Sequence, residues 1–512
     1  MRLGLIVLIS FVFGLNNYNV LANNVHISNV SVTEKNTVEH WMNIKFDLSG
    51  ENFWRITGNA QNWNAVWIFV KYRVNGGDWS HCSLSTSSVD HIMPIGIVAD
   101  ATSDGMGVFI YSDNENIGNF NLNATNLNLR WNYGIDGVAD DASNIEVRVF
   151  GIEMVYIPQG SFSVGSGGAE MNAFFENIAI SEFEIFSEAE ITVAPGLGRL
   201  YYDNLNGRGG DRNGPIPAGF PKGFDAFYTM RYEISQEQYV DFLNLLTRDQ
   251  QNARTNSDVA GTTVTNIYVM SNSSTLQNRN GIRCNSSGLG TTEPINFYCD
   301  LNENSTGNEI DDGQNIACGY LNWGDGMAYL DWAGLRPMTE LEFEKACRGT
   351  NASIGNEFAW GTLDLTQSSS SINNEGEENE QTSNSGNGLC NFDNDGFGPM
   401  RCGFSATGTT NRVQAGASYY GLLEMSGNLS ERCVTVGSPA GRSFTGENGD
   451  GVLTSAGDAD VLNWSGVLSQ SVRGGNYRRG SDRLRVSSRE YAYLDVDDRY
   501  ENVGWRGVRT VQ

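Results

Sequence analysis

Apolar and polar residues alternate in short runs through the first part of the chain. Ile44, Phe46 and Leu48 alternate with Lys45 and Asp47, and Leu127, Leu129, Trp131 and Tyr133 repeat the period. This is the pattern of strands with one buried face. Ala65 to Val74 is a denser apolar run, closed by the turn residues Asn75-Gly76-Gly77. Several such runs, punctuated by Gly, Asn and Asp, predict an all-β sandwich over residues 23–150. Within it Trp54, Trp63, Trp67 and Trp79 read as core and edge packing, with a sugar-stacking platform as the alternative.

From about Glu153 the period changes. Ser235-x-x-Gln238 is a capping box followed by Tyr239, Phe242, Leu243 and Leu246 at helical spacing. Thr339-x-x-Glu342 is a second capping box, whose helix should stop before Gly349, and a third helix is expected over 324–333. Between these elements, residues 250–316 are rich in Asn, Ser, Thr and Gly, and 366–388 are of low complexity. Both read as exposed insertions in a second domain, 151–512. Their acidic runs read as solvated faces, with ion binding as the alternative.

Composition narrows the function. The chain has 512 residues, 33 Lys+Arg against 60 Asp+Glu, and a net charge of −27. Such a surface repels a phosphate backbone, so no nucleic-acid partner is expected. The four histidines, His26, His40, His81 and His91, all lie in the first domain. A histidine triad or histidine metal site is therefore excluded from the second. Met1-Arg2, an apolar run from Leu3 to Leu15 and then Val20-Leu21-Ala22 form a secretory signal peptide over residues 1–22. The protein is expected to be secreted, at the cell surface or periplasmic, without membrane insertion. The eight cysteines contain no CxxC pair, which leaves a zinc ribbon unsupported. Export permits disulfides: Cys284 with Cys299 or Cys318, and Cys390 with Cys402, are possible staples, with buried free thiols as the alternative.

A set of ordered blocks then becomes specific. Met154-Val155-Tyr156-Ile157-Pro158-Gln159-Gly160 opens the second region. Leu321-Asn322-Trp323-Gly324-Asp325-Gly326, Trp332 to Pro337, Thr339 to Glu344 and Phe358-Ala359-Trp360-Gly361 follow. Gly421 to Asn428, Arg473-Gly474-Gly475-Asn476-Tyr477 and Gly504 to Arg509 close it. In this order they resemble the formylglycine-generating enzyme, or sulfatase-modifying factor, family over about 153–510. The resemblance implies an α+β protein, in which the all-β sandwich is followed by a C-type-lectin-like domain with long irregular loops. Arg336, Arg506 and Arg509 read as structural partners of buried carboxylates or carbonyls.

The family's enzymes oxidise a sulfatase cysteine to formylglycine, using copper held by two cysteines. Those cysteines lie second and seventh beyond the aromatic residue of the Gly-Gly block. Counted from Tyr477, the positions hold Arg479 and Leu484, and residues 434–512 contain no cysteine. Two aromatics of the Gly-Asn block are replaced by Ser430 and Arg432. Copper is therefore not expected, and no catalytic residue is assigned. The reading is an exported, catalytically silent binding or structural module; the alternative is an enzyme acting on a protein substrate through other residues. The resemblance implies calcium, held by the Glu424 and Glu431 side chains and the carbonyls of Gly427 and Leu429, all oxygen donors. It implies a second site at Asn391 and the carbonyl of Phe392, with Asp393 or Asp395 assisting. Asn476, Tyr477, Arg478, Arg479, Asp482, Arg483 and Arg485 form a cationic cluster in the segment that lines the family's groove. Arginine forks there would read carboxylates or sulfates of an extracellular glycan or protein; internal salt bridges are the alternative.

Overall fold

The computed structural model describes residues 24–511 apart from 59–60, 177–180, 263, 265 and 285–289. The expected signal peptide lies outside the described residues. Seven antiparallel strands come first, a short one at Ser80–His81 beside β3 and six longer ones: β1 (His26–Asn36), β2 (Trp41–Ile56), β3 (Asn62–Val74), β4 (Ile97–Ala101), β5 (Val108–Ser112) and β6 (Asn116–Trp131). Ile44 of β2 opposes Leu129 of β6, and Val66 of β3 opposes Ile110 of β5. Met42, Ile44, Phe46 and Leu48 pack across onto Val66, Ile68, Val70 and Ile110. These antiparallel strands thus share one core.

The opposite face of β3 is also buried. Ala65, Trp67 and Phe69 belong to the large core of the second region, with Tyr228, Leu330 and Trp332. Burial on both faces is why Ala65 to Val74 shows no alternation. Beside β3 runs β7 (Ile145–Ile157), paired from Val74↔Ile145 to Asn64↔Val155. The boundary drawn at 150/151 falls inside this strand. Beyond residue 150, β7 pairs with β8 (Phe227–Met230), and the sheet continues through two further strands to a total of eleven. Side chains join the two regions as well: Trp67 Nε1 donates to Ala333 O at 2.8 Å, and Lys71 Nζ donates to Gly451 O at 3.0 Å. Trp63 stacks on Tyr156 with ring centroids 3.8 Å apart, and Arg73 and Arg148 lie over Trp79. The tryptophans therefore serve packing.

The longer helices are α1 (Gln236–Leu243), α2 (Arg248–Ala253), α3 (Trp323–Trp332) and α4 (Glu340–Arg348), each opened by a complete capping box, at Ser235, Thr247, Asn322 and Thr339 respectively. Gly349 ends α4 with φ +64°, a backbone conformation that glycine adopts at little cost. The boxes at Thr247 and Asn322 escaped the sequence reading. Residues 250–316 are not simply an exposed insertion. They include most of α2 and the hairpin of β9 (Ile282–Cys284) and β10 (Phe297–Cys299), and Val259, Val269, Met270, Ile282 and Phe297 enter the main core. Scattered apolar residues among Asn and Ser carry no period, so their burial was hidden. All eight cysteines are buried free thiols. In the hairpin Cys284 opposes Phe297 and Cys299 opposes Ile282, so those two thiols are offset along the ladder. Cys390 and Cys402 lie in separate clusters.

Among the described residues no helix is long and apolar enough to cross a membrane. Strands make up about 30% and helices about 10% of the protein, so more than half of it is loop. Buried arginine–carboxylate pairs hold those loops. After β11 (Arg336–Pro337), Arg336 grips Glu342 through two hydrogen bonds of 2.6 and 2.9 Å. Arg509 binds Gly334 O and Asp104, so both arginines are structural, as their blocks suggested.

Candidate functional site

The segment after the Gly-Gly block is positioned by a small sheet. β12 (Ser430–Val434) lies between β13 (Gln470–Arg473) and β14 (Val503–Gly504), antiparallel to the first and parallel to the second. The last strand, β15 (Gly507–Thr510), follows directly and pairs with β8 and β11. At the end of β13, Gly474 and Gly475 take φ of +82° and +66°. A Cβ on Gly475 would meet Leu484 at 2.8 Å and the Arg483 carbonyl at 2.9 Å. Only glycine permits this turn.

The turn separates the expected ligand residues. Asn476 is buried and donates to Ser430 Oγ at 2.7 Å. Tyr477 is fully buried in a core cluster with Tyr232, Leu423 and Leu429, where it cannot face a ligand. Arg478 pairs with Asp395 at 2.8 Å and with Glu501. Arg483 pairs with Glu490. Arg485 donates to Asn356 O at 2.8 Å and lies over Phe358. Asp482 is exposed on the turn Ser481–Arg483 and does not line the groove described next. Arg478 and Arg483 are therefore taken up in ion pairs, with Asp395 and Glu501 and with the nearby Glu490, and Arg485 by a carbonyl remote in sequence. Asn476 and Arg479 alone of the set reach an open site.

That site is a groove of about 470 Å³. Its walls combine Asn476 and Arg479 with Arg208, Tyr491, Tyr493 and Tyr500. Arg208 comes from the loop before β8, and its guanidinium sits 4.9 Å over the Tyr491 ring. The Arg208 carbonyl accepts from Tyr493 N at 2.9 Å, which ties the loop to the tyrosine segment. Tyr500 donates to Asp498 at 2.9 Å; burial and that carboxylate hold its hydroxyl above the ordinary tyrosine range. Among the described residues neither Arg208 nor Arg479 has a salt bridge, and Asp495 is the one acidic residue on the lining. The groove is locally cationic on a strongly anionic chain. Arg208 and the three tyrosines escaped the sequence reading. Tyr491 and Tyr493 had a faint signal, their alternate spacing after the Gly-Gly block, but Arg208 had none.

The copper positions can be judged on their chemistry. Arg479 offers a guanidinium at the groove, and Leu484 is wholly buried against the core. No donor of this segment is a soft thiolate, so the residues do not fit Cu(I). The calcium positions divide. Glu424 has φ +59° and is buried. Its Oε1 accepts from Gly403 N at 3.0 Å, whereas Oε2 has no hydrogen-bond partner. Glu431 Oε1 accepts twice from Arg506, at 2.7 and 2.9 Å, and its Oε2 likewise has none. Burial pushes the Glu424 acid up to about 7, against the pull of Arg506 and Arg401. Two orphaned buried carboxylate oxygens fit a cation better than they fit an apolar core. Gly427 and Leu429 lie in the same loop, where Leu429 N donates to Glu233 at 2.8 Å. Asn391 is differently employed: it bonds Ser368, Gly398 O and Asn428 through its amide. The Phe392 carbonyl accepts from Gln367 at 3.0 Å. Both are engaged by the protein itself.

Residues 143–511 match the family of the sulfatase-modifying factor enzyme 1-like domain, and the protein belongs to that family. The match begins just before β7, the strand shared with the first layers. No curated protein matches the chain.

Proposed function

We propose that the protein is an exported, catalytically silent member of this family that binds an anionic group of an extracellular glycan or protein in the groove. One observation carries the reading: Arg208 and Arg479 face the groove unpaired, beside three tyrosines, while Arg478, Arg483 and Arg485 are taken up internally. Unpaired guanidinium forks favour carboxylate or sulfate, and tyrosines add a flat surface for a sugar or peptide. The two β layers act as a sandwich domain fused to a lectin-like domain, and a calcium ion on Glu424, Gly427, Leu429 and Glu431 rigidifies the loop beneath the groove. Silence rests on residue chemistry, since Arg479 and Leu484 stand where the family's reaction needs two thiolates.

The test is an array of sulfated, carboxylated and neutral glycans and surface proteins. The protein should retain acidic ligands in preference to neutral ones. Arg208→Ala with Arg479→Ala, both exposed, should leave folding intact and weaken binding at least tenfold, roughly 1.4 kcal/mol. Equal binding by the double variant would overturn the reading. A further control concerns catalysis. Incubating a sulfatase-motif cysteine peptide with the protein, copper and reductant should yield no aldehyde by mass spectrometry.

A further inference from the structure

A second centre, away from the groove, lies just after β10. The chain there reads Asp300-Leu301-Asn302-Glu303-Asn304-Ser305-Thr306-Gly307-Asn308-Glu309-Ile310-Asp311-Asp312. Counted from Asp300, oxygen-bearing side chains fall at the first, third, fifth and twelfth positions, the spacing of a twelve-residue calcium loop. Such a loop turns sharply at its sixth residue, usually glycine. Here the sixth residue is Ser305, held at φ +67°. The loop departs from the pattern in having Ser for Gly and Asp for Glu at the twelfth place.

The convergence departs from that spacing: it gathers Glu309, Asp311 and Asp312 with Asn302 and Asn304, and leaves out the first position, Asp300. Carboxylate oxygens of Glu309, Asp311 and Asp312 lie within 4.8 Å of one another. Asn302 Nδ2 donates to Asp311 at 3.0 Å, and Asn304 Nδ2 donates to Glu309. Asp312 is fully buried. Its Oδ2 accepts from Glu309 N at 2.6 Å, but its Oδ1 has no hydrogen-bond partner. A backbone hydrogen bond from Asn302 also reaches this carboxylate. Burial and the nearby Asp300 and Asp311 raise the Asp312 acid. A buried, orphaned carboxylate oxygen beside two more carboxylates is a cost that a divalent cation would remove. Asp300 takes no part, because Arg283 grips it from β9.

We propose that Asn302, Asn304, Glu309, Asp311 and Asp312 bind a calcium ion, at a site separate from Glu424 and Glu431. Three carboxylates supply hard oxygen donors, and the Asn302 and Asn304 amides, which donate to Asp311 and Glu309 without the ion, would turn their oxygens toward it; an irregular oxygen cage suits calcium over magnesium, which needs a tight octahedron. The ion would fix the turn onto β10, where Gly307 packs against the Tyr298 ring.

The experiment uses the full chain carrying Glu424→Gln and Glu431→Gln, so that the other candidate site cannot answer. Terbium luminescence sensitised by the neighbouring tyrosines should appear and should be displaced by calcium but not by equal magnesium. Asp311→Asn with Asp312→Asn should lower the luminescence at least tenfold. Because Asp312 is buried, Asn302→Ala with Asn304→Ala, at two exposed positions, provides a variant that keeps the fold; it should weaken calcium competition severalfold. Undiminished luminescence and competition in that folded variant would overturn the proposal, as would displacement by magnesium as readily as by calcium.

Discussion

Glu340→Gln is the most revealing single substitution, because it removes the charge that ties the two ends of the groove segment. Glu340 opens α4 and is completely buried. Its Oε2 accepts from Arg489 Nε at 2.7 Å and its Oε1 from Arg489 Nη2 at 2.8 Å. Arg473 approaches Oε2 at 3.4 Å, and Val436 N donates to Oε1 at 2.8 Å. Arg473 precedes the Gly-Gly turn and Arg489 precedes Tyr491, so one carboxylate anchors the strand into the groove and the strand out of it. Glutamine keeps the volume but turns an amide donor toward a guanidinium. Removing one partner of a buried ion pair costs about 3–5 kcal/mol. The cost should depend on pH. Burial pushes the Glu340 acid up, but Arg489 and Arg473 more than offset it and hold it below the ordinary range. A depressed native acid stabilises fully above its unfolded value and loses that contribution as pH falls through the native one. Urea melts followed by tryptophan fluorescence should therefore show the full loss at pH 7 and a smaller one below about pH 4. A loss under about 1 kcal/mol at pH 7, or the same loss at both pH values, would refute the argument.

Other expectations follow from the same structure. Since the Glu424 acid is raised to about 7, the native protein binds more protons than the unfolded chain between the ordinary glutamate range and that value. Without calcium, stability should fall as pH rises through this window; Glu424→Gln should flatten the fall, and a melting curve unchanged by the variant would count against it. At neutral pH, chelator should lower the melting temperature and added calcium restore it, with elemental analysis giving the ion count; no shift and no ion would remove the calcium reading. Trp67→Ala should cost about 3–5 kcal/mol and destabilise both regions in one transition, since Trp67 packs with Phe109 on one side and bonds Ala333 on the other. Two separate melts, with only the first shifted, would contradict the shared sheet. In competition with a Cu(I) chelator the native protein should take up no copper, and Arg479→Cys with Leu484→Cys should confer copper binding.

The local chemistry of the chain determined several features outright. Ser235 and Thr339 start helices because a side-chain oxygen three residues before a matching Gln or Glu satisfies two backbone donors, whatever the surroundings. The alternation at Ile44, Phe46 and Leu48 fixes which face of β2 is buried, because a strand repeats every two residues. The ordered blocks carried the family, and the identities of Arg479 and Leu484 made copper unexpected without coordinates. The partners of charged groups were another matter. Arg478, Arg483 and Arg485 read as a ligand cluster along the chain, but Asp395, Glu501, Glu490 and Asn356 reach them only through the fold. The groove was equally hidden, since Arg208 lies far from Arg479 in sequence and meets it only because the loop before β8 folds onto the tyrosine segment. That residue 150 falls inside β7 was hidden for a related reason. A strand buried on both faces, such as β3, looks the same in sequence whether it ends one core or begins another, and β7 runs beside it from the first region to its pairing with β8. Periodicity records which groups leave water; which of them then meet is set by packing at long range.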